Sequence, residues 1–323
     1  MELHLPPKPT PTVLPGEFRF AAAGLAHGHI YGMVNGLLDA GAELVGVWDE
    51  DLKKVSAFQS AFPQAHAASC LDELLDAPDI PLIVSAAVPS ERCPLGLRVM
   101  AAGKDYFVDK APMTTPDQLA AARRAVVETG RKYMVYYSER LHNEAATLAD
   151  ELIRRGEIGR GLHMEGFGPH RLGNARPDWF YQKACCGGIL CDIGSHQLEQ
   201  FLYFTGAEDA DITFARKANY AHPGHPEFED FGECTAAASN GATGIVMDVN
   251  TGALVAMASY PNYDPGDFST IYTEGLQAEL DAALAEIQQN RSTYETEEAY
   301  NQALANARAT IQFKQWRNKC YQD

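Results

Sequence analysis

The order of strand, glycine turn, helix, strand and acid near the start of the chain limits its fold more than any other feature. Residues 18–23 are predicted to form a short buried strand, and an apolar helical pattern begins at Ile30. A second predicted strand, residues 44–48, is followed at once by Asp49. This order is typical of a βαβ unit whose turn and helix N-terminus bind a dinucleotide pyrophosphate and whose acid binds the ribose hydroxyls.

The turn itself carries a reduced form of the glycine fingerprint found in such units. Ala26 occupies the second glycine position and His29 the third, and only the first of these is a small change. The acidic run at residues 49–51 disfavours a 2′-phosphate, so NAD is expected rather than NADP. The residues of this unit that are predicted to contact the cofactor are Gly24, Ala26, His27, Gly28, His29 and Asp49.

Two more predicted strands extend the pattern to a parallel sheet. Residues 81–87 form one strand and are followed by Pro89, which is also predicted to contact the cofactor. Residues 106–108 form the next strand and lead into Lys110. A lysine at the carboxyl end of a parallel strand lies where ligands bind in open α/β sheets, whereas most lysines are solvated on the surface. Residues 17–135 are therefore predicted to form a Rossmann-type, doubly wound α/β domain.

The run from Gly187 to His196 (Gly-Gly-Ile-Leu-Cys-Asp-Ile-Gly-Ser-His) is the strongest chemical signal in the chain. It places the carboxylate of Asp192 four residues before the imidazole of His196, and a single helix would put both on one face. A carboxylate in that position would orient the ring and move its pKa towards neutrality, which suits acid–base catalysis. For so short a motif, a helix cap followed by a packed histidine is the alternative.

Residues 17–243 resemble the Gfo/Idh/MocA family of nicotinamide-dependent sugar and polyol dehydrogenases. The family motif Gly-Gly-x-Leu-x-Asp-x-Gly-x-His is matched at every position from Gly187 to His196. The family's Glu-Lys-Pro motif corresponds more loosely to residues 109–112, which read Asp-Lys-Ala-Pro. Arg92 stands where members often have a histidine, which leaves a cofactor contact at that position open.

The resemblance implies a catalytic set of Lys110, Asp192 and His196. His196 would exchange the hydroxyl proton while a hydride moves between the substrate carbon and the nicotinamide, and Lys110 would stabilise charge on the same oxygen. Asp192 would bind a neighbouring hydroxyl and orient His196. The implied substrate is a sugar or polyol, and all three residues are expected to contact it.

The loop before the Gly187–His196 run is predicted to supply further substrate contacts. It is rich in aromatic and polar side chains, of which His170, Trp179 and Tyr181 suit a hydroxylated ring through stacking and hydrogen bonding. The alternative for Trp179 is burial in the core of its domain.

The chain after Gly244 departs from that family and resembles the opening strands of a penicillin-binding protein transpeptidase domain. The resemblance begins with residues 245–261 and would extend to the end of the chain, which predicts a junction between two unrelated fragments. A gene fusion, an assembly artefact and a misjoined reading frame each remain open. The chain has no S-x-x-K serine and no K-T-G motif, so acyl transfer is not expected.

These boundaries predict four segments. Residues 1–16 form a flexible, proline-rich arm, and residues 17–135 form the dinucleotide-binding domain. Residues 136–244 form a truncated α+β substrate domain, so that the second domain is expected to be incomplete. Residues 245–323 are foreign to it, with a strand pair flanking residues 250–252 and two helical patterns near the end of the chain.

Composition excludes several classes of protein. The formal net charge of −17 argues against nucleic acid and anionic membranes as partners, and no stretch is apolar enough to span a bilayer. Seven cysteines without a C-x-x-C pair predict free thiols in a reducing compartment. No metal is expected, because His222 and His225 lack a third ligand.

The function expected from the sequence is that of a cytoplasmic, NAD-dependent dehydrogenase that acts on the CH-OH groups of a sugar or polyol, with a homo-oligomer left open. Two alternatives remain. One is a catalytically inactive dinucleotide-binding protein or chimeric fragment, which the reduced glycine fingerprint favours. The other is a transpeptidase fragment that lacks its nucleophile.

Overall fold

The computed structural model describes residues 10–173, 176–249, 275–294 and 296–316. The chain divides into two compact units, residues 1–253 and residues 254–323. The first unit contains a parallel and a mixed sheet with their helices, and the described residues of the second unit form two α-helices joined by a 3₁₀ turn.

The amino-terminal domain is a six-stranded parallel sheet with the strand order β3-β2-β1-β4-β5-β6. The order reverses between β1 and β4, which is the switch point of a doubly wound sheet. The strands are β1 (Arg19–Ala23), β2 (Glu43–Trp48), β3 (His66–Ala67), β4 (Leu82–Ser85), β5 (Asp105–Asp109) and β6 (Tyr133–Tyr136). The connecting helices are α1 (His29–Asp39), α2 (Leu52–Ala61), α3 (Leu71–Asp76), α4 (Pro89–Ala101) and α5 (Pro116–Thr129). The predicted α/β, Rossmann-type fold class is confirmed.

Alternate residues of β1 belong to two separate hydrophobic clusters, one on each face of the sheet. Phe20 and Ala22 belong to the cluster that contains the helix residue Ile30, whereas Ala21 and Ala23 belong to the other cluster. Successive side chains of a strand point to opposite faces, so a strand covered on both sides has to be apolar throughout. This requirement explains why the strand at residues 18–23 could be recognised in the sequence.

The second domain contains a mixed four-stranded sheet with the order β7-β10-β9-β8. Its strands are β7 (His163–Phe167), β8 (Ala210–Ala218), β9 (Phe231–Ala238) and β10 (Thr243–Val249). Its helices are α6 (Ser138–Leu141), α7 (Glu144–Arg154), α8 (Lys183–Cys186), α9 (Ile189–Asp192) and α10 (Gly194–Thr205), and a 3₁₀ turn covers Asp178–Tyr181. Phe201 of α10 is buried with Ala236 and Ala238 of β9, which packs the helix on the sheet.

The predicted junction at Gly244 falls inside β10 rather than at an edge of the second-domain sheet. That strand pairs in parallel with β7, Thr243 opposite His163, and antiparallel with β9 through to Val249 opposite Phe231. A strand that is hydrogen-bonded on both sides pairs its backbone N–H and C=O groups with both neighbours, so removing it would leave polar groups of both neighbours unpaired. The substrate domain therefore extends beyond residue 244, and residues 245–249 are part of its sheet.

The described part of the predicted amino-terminal arm makes hydrogen bonds to the rest of the domain and within itself. The N–H groups of Thr12 and Val13 donate to the carbonyl of Ala40, at 2.9 Å and 3.2 Å, just after the end of α1. The N–H of Leu14 donates to the carboxylate of Glu17 at 2.8 Å. Thr12 and Val13 are thus held to the end of α1 by backbone hydrogen bonds. Residues 1–9 lie outside the described part of the chain.

The second unit confirms both helical patterns predicted near the end of the chain. They form α11 (Leu276–Gln289) and α12 (Glu297–Trp316), with a 3₁₀ turn at Arg291–Thr293 between them. Leu280 and Tyr300 are buried, as expected for the apolar face of each helix. The predicted strand after residues 250–252 lies outside the described residues.

Among the described residues, no helix combines the length and the apolar character needed to cross a membrane.

We expect a Gly244→Ala substitution to lower the free energy of unfolding by about 1–3 kcal/mol, the usual cost of overfilling a packed core. A Cβ at this position would lie 2.8 Å from a ring carbon of Phe201, which is almost fully buried. Urea denaturation followed by circular dichroism measures the effect.

Gly224→Ala is the matched control, because a Cβ there would have no neighbour within 4 Å. Its free energy of unfolding should stay within about 0.5 kcal/mol of the parent. Equal midpoints for the two variants would show that β10 is not packed against α10.

Candidate active site

The candidate site lies at the carboxyl edge of the parallel sheet, where the strand order reverses between β1 and β4. The turn after β1 begins at Gly24, and β5 ends at Asp109 with Lys110 next in the chain. Ligands of open α/β sheets bind in the crevice outside this edge. The second domain contributes Asp192 and His196 to the same place, and Lys110 is close enough to both to alter their titration.

The first βα turn leaves space beside the N-cap residue of α1. Gly24 has φ +80°, and a Cβ there would lie 2.7 Å from that of Ala87, so no side chain fits. The N–H of Ala86 donates to Gly24 O and the N–H of His27 donates to Ala86 O, each at 2.9 Å. Gly28, the N-cap, offers no capping side chain, and a Cβ there would meet nothing within 4 Å. This space at the positive end of a helix fits a dinucleotide pyrophosphate.

Asp49 fixes the shape of this turn. Its Oδ2 accepts a hydrogen bond from the N–H of Leu25 at 2.6 Å, and its Oδ1 accepts one from the N–H of Asp51 at 2.8 Å. Each carboxylate oxygen keeps a second lone pair, so a ribose contact stays a prediction. Ala26 belongs to the same turn, and Pro89 lies in the first turn of α4 after β4.

Asp109 is a fully buried carboxylate that ties the first turn to α4. His29 Nδ1 lies 2.9 Å from its Oδ1, His27 Nδ1 lies 3.3 Å from its Oδ2, and Arg92 donates to Oδ2 at 3.0 Å. Burial raises the pKa of Asp109, but Arg92 and the two histidines outweigh it and hold the pKa well below the usual range. Burial also lowers the pKa of His27 in spite of the Asp109 contact.

Arg92 supports the main chain that carries the lysine. Its Nε donates to the carbonyl of Ala87 at 2.7 Å, and its Nη1 donates to the carbonyls of Lys110 and Ala111, the latter at 3.1 Å. The peptide bond between Lys110 and Ala111 is cis. The sequence leaves the role of Arg92 open, and in the structure Arg92 is a buried support for the main chain at Lys110. Its position in α4, directly after a buried strand, was the signal available.

Lys110 and Asp192 form a buried ion pair that joins the two domains of the first unit. Lys110 Nζ donates to Asp192 Oδ1 at 2.6 Å, and both residues are buried. Burial raises the pKa of Asp192, but the Lys110 ammonium lowers it by a larger amount, so the pKa lies below its usual range. The pair therefore presents a cation and a carboxylate side by side.

His196 is buried and neutral at pH 7. Burial is the main cause and the Lys110 ammonium the next, and together they lower its pKa to about 4 in spite of Glu139 and Asp192. Its Nδ1 is buried without a hydrogen-bond partner among the described residues. A neutral imidazole can accept a proton, and an unpaired buried polar atom is a feature typical of functional sites.

Two expectations for the Gly187–His196 run are corrected. The run forms two helices, because α9 ends at Asp192 and α10 begins at Gly194, so the two side chains do not share one continuous helix face. Among the described residues, Asp192 also makes no hydrogen bond to His196, and its side-chain partner is Lys110. The pKa of His196 accordingly moves away from neutrality, and the desolvation of the ring decides this direction.

Glu139 is a residue of the site that sequence analysis missed. It lies on α6, directly after the domain crossing, and its Oε1 is 3.0 Å from His170 Nε2 and 3.9 Å from His196 Nε2. Its Oε2 accepts from Gln197 Nε2 at 3.0 Å. Burial raises the pKa of Glu139, but the hydrogen bond with His170 and the nearby charges lower it below its usual value. A Ser-Glu-Arg sequence carries no motif that could have indicated this role.

The aromatic residues predicted to contact substrate lie on the 3₁₀ turn at Asp178–Tyr181. Tyr181 stacks on His225 with ring centroids 3.9 Å apart, and Trp179 is half-buried beside Phe180 at 5.9 Å. The structure brings Lys110, Asp192, His196 and His170 into one electrostatic cluster, whereas these two rings pack against their own neighbours. Their role as substrate contacts stays a prediction.

The arrangement supplies what hydride chemistry at a carbinol needs from a protein. An ammonium can donate to the reacting oxygen, a neutral imidazole can exchange its proton, and the cofactor space opens at the same sheet edge. Each group is buried or half-buried, which strengthens its electrostatic effect.

Two family profiles match the chain in succession. Residues 19–137 match the profile described as the oxidoreductase family with an NAD-binding Rossmann fold, and residues 147–256 match the GFO/IDH/MocA C-terminal domain. The second match runs past the predicted junction at Gly244. Neither profile supports the transpeptidase likeness expected for residues 245–323.

A solved protein from Erwinia carotovora atroseptica SCRI1043 that is named as an oxidoreductase is 38% identical, with a TM-score of 0.72 over 92% of this chain and 98% of that one. Because the match covers 92% of this chain, it includes residues beyond the predicted junction at Gly244. Levoglucosan dehydrogenase in complex with NADH and levoglucosan shares the fold at 21% identity, with a TM-score of 0.61 over 72% of this chain and 67% of that one.

Among curated proteins, the NAD-dependent scyllo-inositol 2-dehydrogenase of Bacillus subtilis strain 168 is 28% identical over 141 residues, which are 44% of this chain and 40% of that protein. The NADP-dependent enzyme IolW of the same strain is 25% identical over 150 residues, 46% of this chain and 41% of that protein. The chain spans about two fifths of the length of these relatives. Both family profiles, the site geometry and the Erwinia match agree, and the chain belongs to the GFO/IDH/MocA family of oxidoreductases.

Proposed function

We propose that the chain is an NAD-dependent dehydrogenase that transfers a hydride between the nicotinamide and a hydroxyl carbon of a sugar or polyol. The observation that carries the proposal is the buried Lys110–Asp192 pair beside the neutral imidazole of His196. These groups lie at the same sheet edge as the N-terminus of α1, whose N-cap residue Gly28 leaves space that suits a pyrophosphate.

The residues of the site divide the work on the substrate oxygen. Bound nicotinamide supplies or accepts the hydride. Lys110 donates to the reacting oxygen and stabilises its developing negative charge. His196 takes the hydroxyl proton in oxidation and returns it in reduction. Asp192 holds the ammonium in place and keeps an oxygen free for a neighbouring hydroxyl.

The names of the relatives support a hydroxylated ring as substrate. The Bacillus proteins are named for scyllo-inositol and one solved neighbour for levoglucosan. A ring of hydroxyls suits a site that offers a cation, a carboxylate and an imidazole in close proximity. Half-buried His170, Trp179 and Tyr181 would add polar and stacking contacts if substrate reaches them.

The preference for NAD rests on Asp49. Its carboxylate ends β2 and is followed by Glu50 and Asp51, so a 2′-phosphate would meet three carboxylates. Relatives of both cofactor types exist, which makes this preference a property of the individual chain.

We expect His196→Gln to lower kcat/KM for polyol oxidation by about 10²- to 10⁴-fold, the usual contribution of a general base. The dissociation constant of NADH should change less than about tenfold, since the proton moves only in the reaction. The assay follows NADH formation with NAD and a panel of inositols and aldoses. NADH fluorescence titration measures binding.

His66→Gln is the control, because His66 is an exposed histidine on β3 that pairs with Glu73 at 3.0 Å. It should keep parental turnover. Full activity in His196→Gln would refute the assignment of the base. NADH binding by the parent without turnover on any member of the panel would favour a non-catalytic dinucleotide-binding protein instead.

We expect Asp49→Asn to weaken NADH binding by about 1–3 kcal/mol, since a charged hydrogen-bond acceptor for the ribose is lost. Binding of NADPH should weaken less, so the ratio of the two dissociation constants narrows. Glu50→Gln, an exposed neighbour, is the control and should leave both constants unchanged. Unchanged NADH affinity in Asp49→Asn would limit Asp49 to shaping the turn.

A further inference from the structure

Glu139 lies between two histidines from different elements of the second domain. Its Oε1 is 3.0 Å from His170 Nε2, in the loop after β7, and 3.9 Å from His196 Nε2, in the first turn of α10. Gln197 donates to Oε2 at 3.0 Å. Gly168, at the end of β7, leaves room for Gln197, whose Nε2 would lie 2.8 Å from a Cβ there. The carboxylate is therefore held with Oε1 facing both rings.

The contact between Glu139 and His170 contains a proton. His170 Nδ1 lies 3.1 Å from the carbonyl oxygen of Gly168, which can only accept, so Nδ1 carries a hydrogen. A neutral ring would then present a lone pair at Nε2 to a carboxylate oxygen 3.0 Å away. A hydrogen bond at that distance needs one proton between the two atoms. The pair thus stores a proton next to His196.

The exposed fraction of the side chain increases from His196 through Glu139 to His170. His196 is 2% exposed, Glu139 28% and His170 37%. The distance of 3.9 Å from His196 Nε2 to Glu139 Oε1 is too long for a direct hydrogen bond, but a hydroxyl beside the line joining them can contact both. The order runs from the reacting imidazole to solvent.

We propose that Glu139 and His170 conduct the substrate proton between His196 and solvent, a role that rests on the proposed dehydrogenase function. In oxidation, His170 first releases its stored proton to water. The hydroxyl proton of the substrate passes to His196 Nε2, while the hydride with its electron pair goes to the oxidised nicotinamide. The proton then passes from His196 to the vacated Glu139–His170 pair. The net products are the ketone or aldehyde, the reduced nicotinamide and one proton in solvent.

The charges around each ring agree with this direction. His196 faces Lys110, Glu139, His170 and Asp192, and burial followed by the Lys110 ammonium makes its protonated form unfavourable, so its pKa falls to about 4. A proton that His196 takes up is therefore readily passed to the Glu139–His170 pair.

His170 faces Glu139 and, more distantly, Lys110. Burial lowers the pKa of His170, but its bond to Glu139 outweighs this and raises the pKa above its usual value. Because the pair accepts a proton only after His170 has released its own, oxidation should rise with pH through this raised pKa.

The first test needs no cofactor. We expect Glu139→Gln to lower the pKa of His170 in the cofactor-free full-length protein, measured by an NMR titration of the histidine rings and assigned with His170→Ala. Glu165→Gln is the matched control, because Glu165 faces His163 at 3.7 Å on the exposed part of β7. It should leave His170 unchanged. An unchanged His170 titration in Glu139→Gln would overturn the proposal.

The second test separates proton conduction from a structural role. Glu139→Gln should lower the rate of polyol oxidation at least about tenfold and move the rise with pH to lower pH, with NADH affinity unchanged. Glu139→Asp should restore part of the rate, and imidazole in solution should restore part of the rate of His170→Ala. His170→Ala alone carries the test if Glu139→Gln fails to fold.

The outcomes distinguish the two proposals. No turnover by the parent on any polyol would be a failure of the proposed function. Parental turnover that persists with an unchanged pH profile in Glu139→Gln, or a rate of His170→Ala that imidazole does not restore, would overturn proton conduction and leave the dehydrogenase assignment standing.

Discussion

The ion pair between Lys110 and Asp192 is the interaction on which the site depends. It is made by residues of two domains, at 2.6 Å, in a place from which water is largely excluded. Removing one partner of such a pair costs about 3–5 kcal/mol, because the remaining charge is left buried alone. The parallel sheet presents the lysine and Arg92 fixes its main chain. The second domain completes the site by bringing Asp192, together with His196, to that edge.

The same pair contributes to the protonation states of its neighbours. The Lys110 ammonium opposes a second positive charge on His196, which burial already disfavours, so the imidazole is neutral at pH 7. It also favours the ionised forms of Asp192 and Glu139. Burial and the buried cation together favour a neutral imidazole beside two ionised carboxylates, an arrangement that suits general acid–base chemistry.

The fold could be predicted from the sequence for those segments in which hydrophobic periodicity or a required glycine indicates the local structure. The strand at residues 18–23 is apolar on both faces because it lies between two hydrophobic clusters, and Gly24 is required where a Cβ would collide with Ala87. Periodicity could not decide which strands pair. Residues 245–249 suggested a foreign segment by resemblance, yet they form the strand between β7 and β9, because register is set by partners distant in the chain.

The sequence by itself determined the parallel sheet, the switch-point site and the identity of Lys110, Asp192 and His196 as candidates, since each depends on local pattern or on a contiguous motif. Only the tertiary structure decided how these groups are paired. Asp192 is four residues from His196 in the sequence but bonds to Lys110, which is 82 residues away. The contact between Glu139 and His170 is not indicated by any motif in the sequence. Local sequence sets backbone conformation, whereas desolvation and charge proximity, which fix protonation and partners, exist only after distant segments have packed together.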